Sequence, residues 1–184
     1  LSCEYGREFQ NTIDKCCREF VACKDIECLR HYPSIHFGIE TATRSLHAHD
    51  GLSLFDTAFT RGEMGIPING LVWMGDKDTM RQRMLQKMQA GFTCIKLKIG
   101  ALRIEEELRL LKELRQIASA KDLQIRVDAN GAFTEAEALG VMEQLAKLEV
   151  HSIEQPLRSG NWDGMAKLCK SAPLPIALDE ELIG

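Results

Sequence analysis

Four apolar runs that end in charged residues constrain this chain more than any other feature. The runs Cys94-Ile95-Lys96-Leu97-Lys98, Gln124-Ile125-Arg126-Val127-Asp128, His151-Ser152-Ile153-Glu154 and Pro175-Ile176-Ala177-Leu178-Asp179 have strand character, and a segment of helical pattern separates each from the next. Their last residues recur regularly: Lys98 to Asp128 is 30 residues, Asp128 to Glu154 is 26 and Glu154 to Asp179 is 25. Strands joined by helices at that interval run parallel, because each helical crossover returns the chain to the same edge of the sheet. The charges therefore gather at one C-terminal edge, where parallel α/β sheets build their sites.

A fifth run, Gly70-Leu71-Val72-Trp73-Met74, precedes these four. A helix opened by Asp76 or Asp78 follows it and stops at Gly91, the residue type expected just past a helix end. Another helix spans residues 104–118, Thr134-Glu135-Ala136-Glu137 forms a capping box that opens the next, and a short helix over residues 162–170 leads to the last strand. The pattern predicts an α/β fold with about five βα units of a (β/α)8 TIM-like barrel. A complete barrel has eight strands and takes about 250 residues, so residues 68–184 hold only part of one, with exposed sheet edges.

Residues 1–50 read differently. Phe9, Ile13, Cys16, Cys17 and Phe20 recur at helical spacing, and after Tyr32-Pro33-Ser34 a second helical run begins with Ile35, Ile39 and Leu46. Gly51, Gly62, Gly65 and Pro67 give residues 50–67 the chemistry of turns. The expected division is a helical part over residues 1–60 and a barrel portion over residues 61–184. With no initiator Met, and an end just after a strand pattern, the chain reads as a piece of something longer.

A formal charge of -4, with no basic cluster interleaved with aromatics, argues against nucleic-acid binding and for a small-molecule substrate. No apolar stretch reaches the roughly 20 residues that span a bilayer, and the N-terminus lacks a signal-peptide pattern, so no membrane association and a cytoplasmic setting are expected. Seven cysteines with no C-x-x-C pair fit neither a disulfide framework nor a zinc site.

Asp128, Glu154 and Asp179, at successive strand ends, form an all-oxygen set of the kind that hard cations prefer, and the expected metal is Mg2+. Lys96 and Lys98 are two apart on a strand and share a face, so each should lower the pKa of the other and leave one able to act as a base. Arg126 shares the face of Asp128, where it meets either an anionic substrate group or a neighbouring carboxylate. Asn130 lies two residues beyond Asp128. His47, His49, Trp73 and Trp162 form no comparable constellation and are assigned to core or surface. A base beside carboxylate-held Mg2+ suits removal of a proton α to a substrate carboxylate.

These residues resemble a known family. Ile95-Lys96-Leu97-Lys98, Arg126-Val127-Asp128-Ala129-Asn130, Ile153-Glu154-Gln155-Pro156 and Leu178-Asp179-Glu180 are similar, in order and spacing, to the motifs of the enolase superfamily, muconate-lactonising subgroup. Residues 1–50, with Tyr32 to Glu40 at their centre, resemble the later, helical part of that family's α+β capping domain. The resemblance implies a metal-stabilised enediolate formed from a small carboxylate substrate. Lys98 would be the base, Lys96 would support it, Asp128, Glu154 and Asp179 would hold Mg2+, and Arg126 and Asn130 would bind substrate. Within the subgroup, residues 68–75 and 173–184 are worded most like the branch that dehydrates a cyclohexadiene carboxylate to an aromatic acid, a step of menaquinone biosynthesis. Dipeptide epimerases and N-acylamino-acid racemases of the same subgroup are the alternative, and their second active-site lysine would lie beyond residue 184. A third reading is an inactive binding module, a homo-oligomer whose partner subunits cover the open sheet edges.

Overall fold

The computed structural model describes residues 6–183, which form two compact units, one of residues up to 66 together with Ile183 and one of residues 67–182. In the first, α1 (Phe9–Cys23) ends where Lys24 turns left-handed at φ 54°. A 3-10 turn, Ile26–Leu29, follows, capped by Asp25, whose side chain accepts from the Glu27 N–H at 3.0 Å. Then α2 (Pro33–His47) starts with proline in its first turn, where a missing N–H costs nothing. Buried Cys16, Leu29 and Ile35 join these elements, with Phe9, Ile13, Phe20 and Ile39 packed around them. Of the helical stretch expected over residues 1–50, residues 1–5 lie outside the described residues and helix is present in 9–23 and 33–47, while residues 48–69 contain neither helix nor strand.

The second unit is the βα succession that the periodicity predicts. It runs β1 (Gly70–Val72), α3 (Lys77–Gln89), β2 (Cys94–Lys98), α4 (Ile104–Ile117), β3 (Gln124–Asp128), α5 (Glu135–Lys147), β4 (Ser152–Glu154), α6 (Trp162–Ser171) and β5 (Ile176–Ala177). All four strand pairings are parallel and the order is β1-β2-β3-β4-β5. Five strands in that order are the partial barrel that the sequence predicts.

Alternation along the strands sorts the two faces. Ile95, Leu97, Ile125, Val127 and Ile153 are buried in a core with Met80, Met84, Leu110, Leu114, Met142 and Leu145 from the helices. The residues between them, Lys96, Lys98, Arg126, Asp128 and Glu154, take the opposite face. Helix starts follow local chemistry: the Asp76 carboxylate accepts from the Thr79 N–H at 2.9 Å to cap α3, and Glu137 accepts from the Thr134 N–H at 3.0 Å in the capping box of α5. Gly91 closes α3 at φ 84°, a backbone angle that glycine adopts without a Cβ penalty.

The outermost strand departs from expectation. A run extending to Asp179 was expected, but β5 is two residues long and pairs with β4 alone. A strand with one neighbour has half the ladder to hold it extended, and from Glu180 to Leu182 the chain turns into a 3-10 helix.

Candidate active site

Register aligns the charges before any side chain is considered. Lys98 pairs with Asp128, and Asp128 with Glu154, so three strands bring one residue each to the same row at the C-terminal edge. One row back, Lys96 is level with Arg126. Because β2 side chains alternate, Lys96 and Lys98 reach the same face from adjacent rows.

There the side chains form a connected cluster around Asp128, which is fully buried. Asp128 Oδ2 lies 2.6 Å from Lys98 Nζ and 2.9 Å from Lys96 Nζ, and Oδ1 accepts from the Asn130 N–H at 3.1 Å. Lys96 Nζ also donates to both oxygens of Glu154, at 2.7 and 2.6 Å. Lys98 Nζ donates to Asn130 Oδ1 at 2.8 Å and sits 5.5 Å from the centre of the Trp73 ring. Asn130 and Gln155, each just past a strand-end carboxylate, have positive φ of 46° and 41°, conformations that L-residues with side chains rarely adopt.

The electrostatics correct one expectation. Two neighbouring lysines were expected to lower each other's pKa, but that of Lys96 is raised. Burial alone would lower it, and the hydrogen bonds and charges of Glu154 and Asp128 outweigh the burial. Asp128 is desolvated too, yet its carboxyl is held below the ordinary range by Lys98 and Lys96. Glu154 moves the other way, because burial and the adjacent Asp128 charge together exceed what Lys96 gives back. Lys96 is thus the cation that bridges this carboxylate pair.

Two expected members stand apart. Arg126 is exposed, and its Nε donates to Gln124 Oε1 at 3.2 Å, back along its own strand and away from Asp128. Asp179 has an exposed side chain because β5 ends two residues earlier, and its backbone N–H donates to Gln155 Oε1 at 3.1 Å. Among the described residues, no three His, Cys, Asp or Glu side chains stand together as a metal-binding group. The donor chemistry nonetheless fits a hard cation: Asp128 and Glu154 face each other closely enough to disfavour a second negative charge, and the cation between them is the Lys96 ammonium.

Several supporting residues were not legible in advance. Trp73 was assigned to core or surface, yet its ring faces Lys98. Buried Gln155 accepts the Asp179 and Glu181 N–H groups and donates to Leu157 O at 2.9 Å, tying the β4 end to the turn after β5. Glu107, 2% exposed, accepts the N–H groups of Gly100, Ala101 and Leu102 and so shapes the loop after Lys98. A glutamate in the first turn of a helix is common, and nothing in its neighbourhood distinguished Glu107 from Glu105 or Glu106.

The arrangement matches known proteins. Residues 79–184 match the sequence model of the enolase C-terminal domain-like family. The o-succinylbenzoate synthase of Desulfotalea psychrophila is 46% identical over 153 residues, covering 83% of this chain and 42% of that protein. The crystal structure of MenC from Desulfotalea psychrophila superposes with a TM-score of 0.77 at 39% identity, covering 97% of this chain and 49% of that one. That of o-succinylbenzoate synthase from Thermosynechococcus elongatus, complexed with Mg in its active site, gives 0.70 at 26% identity, with coverages of 97% and 54%. Dipeptide and amino-acid epimerases are also among the relatives. The chain spans about half the length of the known proteins it matches, or less. A parallel βα sheet with this charged edge and this family match makes the chain a member of the enolase C-terminal domain-like family, in the enolase superfamily.

Proposed function

We propose that the protein carrying this chain is a Mg2+-dependent o-succinylbenzoate synthase, a hydro-lyase that converts 2-succinyl-6-hydroxy-2,4-cyclohexadiene-1-carboxylate to o-succinylbenzoate and water in menaquinone biosynthesis. The observation that carries this reading is the single row of Lys98, Asp128 and Glu154 across three strands, in a chain 46% identical to a synthase of that name. Residues 1–60 would be the helical part of a capping domain, and residues 61–184 the first portion of the barrel. A cytoplasmic setting is part of this reading; among the described residues no helix is long and apolar enough to cross a membrane.

Asp128, Glu154 and Asp179 would hold Mg2+, which supplies fixed positive charge against the negative charge that develops on the substrate carboxylate. Lys98 takes the proton from the carbon α to that carboxylate. The resulting ammonium then gives its proton to the departing hydroxyl on the same face, so water leaves and the ring becomes aromatic. Lys96 offsets carboxylate charge beside the base, and its raised pKa keeps it charged for that task. Asn130 orients Lys98, and Arg126 would reach the substrate only by turning from its present contact with Gln124.

Epimerisation is the second reading, favoured by the epimerases among the relatives. It needs a base on each face of the substrate, and the described residues provide lysines from β2 alone. One assay separates the two: the complete protein is given the cyclohexadiene substrate and the aromatic product is followed by absorbance. Dehydration should proceed in wild type and fall about 10²- to 10⁴-fold in Lys98→Ala, the usual contribution of a general base. Equal rates would remove Lys98 from this role, and α-proton exchange of an N-acylamino acid in deuterated water without dehydration would replace the proposed reaction.

A further inference from the structure

Glu180 opens the 3-10 turn that follows β5 and reaches back across the sheet to the residue that holds the proposed base. Its Oε1 accepts from Asn130 Nδ2 at 2.9 Å, while Asn130 Oδ1 accepts from Lys98 Nζ at 2.8 Å. The backbone of Asn130 is already committed, with φ at 46° and its N–H on Asp128 Oδ1. Only the side-chain amide is left to orient. A carboxamide turned by half a rotation exchanges its oxygen for its NH2 at almost no steric cost, so its hydrogen-bond neighbours decide which end points where.

An ionised carboxylate accepts hydrogen bonds and cannot donate them. Glu180 therefore attracts the NH2 of Asn130 and repels its oxygen, which is thereby turned toward Lys98. In the reverse orientation the lysine would face a donor, to which an ammonium cannot bond. The other oxygen of Glu180, Oε2, is buried, as is Oε2 of the neighbouring Glu181.

We infer that Glu180 is a positioning residue for Lys98, setting the Asn130 amide so that its oxygen aims the lysine amine. The inference rests on the assignment of Lys98 as the base. It adds the outermost turn to a site otherwise built on β2, β3 and β4.

The test uses the complete protein, labelled with 15N on asparagine side chains. The Asn130 NH2 signals, identified by their loss in Asn130→Ser, should be displaced in wild type by the hydrogen bond to Glu180. They should move to the positions of an unbonded amide in Glu180→Ala and stay in place in Glu180→Gln, which keeps an acceptor. With the thermal midpoint unchanged, kcat for dehydration should fall about 10- to 100-fold in Glu180→Ala with KM held within about 2-fold, and Glu180→Gln should restore most of it. Unchanged Asn130 signals in Glu180→Ala overturn the inference whatever the activity, and so does an unchanged kcat. Should wild type prove inactive, the function assignment fails by itself. The rate at which an amine-reactive reagent labels Lys98, read by mass spectrometry, then decides the inference: a rate altered in Glu180→Ala and restored in Glu180→Gln supports it, and equal rates in all three overturn it.

Discussion

Arg115 and Lys96 are both cations drawn into this protein, near opposite ends of one sheet, and they are held by different kinds of partner. Arg115 donates to Leu123 O at 2.7 Å, Leu148 O at 2.9 Å and Glu149 O at 2.9 Å, backbone carbonyls of the loops that lead into β3 and β4. Lys96 is held by the side-chain carboxylates of Asp128 and Glu154. Backbone carbonyls cannot leave, so the first cation is a clamp. Carboxylates and ammonium groups on side chains can exchange partners, so the second cluster can open to a metal and a substrate. The comparison gives physical content to the division of such folds into a face for stability and a face for chemistry.

Asp128→Asn should behave unlike a clamp variant. In the complete protein, wild type should gain about 2.7 kcal/mol of stability at a Mg2+ concentration 100 times Kd. Asp128→Asn should lose that Mg2+-dependent shift in the thermal midpoint and lose activity at least about 100-fold. An equal Mg2+ shift in both proteins would remove Asp128 from the metal set. The opposite behaviour is expected of Arg115→Met, which leaves three carbonyls without their donor. It should lower the unfolding free energy by about 3 kcal/mol in urea titration while kcat stays as in wild type. A loss under about 0.5 kcal/mol would mean that water replaces the guanidinium without cost.

Glu107 sharpens the contrast, since it is buried on the chemical side and held by backbone groups. Burial raises its pKa above the ordinary 4.5 despite the N–H groups of Gly100, Leu102 and Ala101. The folded state therefore binds this proton more tightly than the unfolded chain. Its contribution to stability is present below the ordinary value and is lost as pH rises from about 4.5 through the raised value. Glu107→Gln, which stays neutral and keeps one oxygen for the three N–H groups, should remove that slope and leave the protein at least as stable as wild type at neutral pH. Unfolding midpoints of the two proteins measured from pH 4 to 7 check this, and parallel curves would show that Glu107 is not perturbed.

Much of this was legible because the signals were local or periodic. The Asp76 cap, the Thr134 and Glu137 capping box and the glycine closing α3 depend on residues within four positions of each other, and all three form as expected. Regular spacing of Lys98, Asp128 and Glu154 sufficed to put them at one edge. The strand pattern reaches Asp179, but the strand ends two residues short of it for a reason outside its own run: a strand is held by its neighbours, and β5 has one. Arg126 shares the parity of Asp128, yet parity sets the face on which a long side chain begins and leaves open where its end bonds.

By itself, the sequence determined the alternation of strands and helices, the parallel sense of the sheet, and which polar residues would share its C-terminal edge. These follow from hydrophobic period and spacing, which act along the chain. Only the tertiary structure decided which charges pair. It made Lys96 the partner of Asp128 and Glu154, put Lys98 between Asp128, Asn130 and Trp73, and joined Glu180 to Asn130 across 50 residues. Electrostatic and hydrogen-bond energies change over a few ångströms, and separations of that size are set by the packing of whole strands and not by position in the chain.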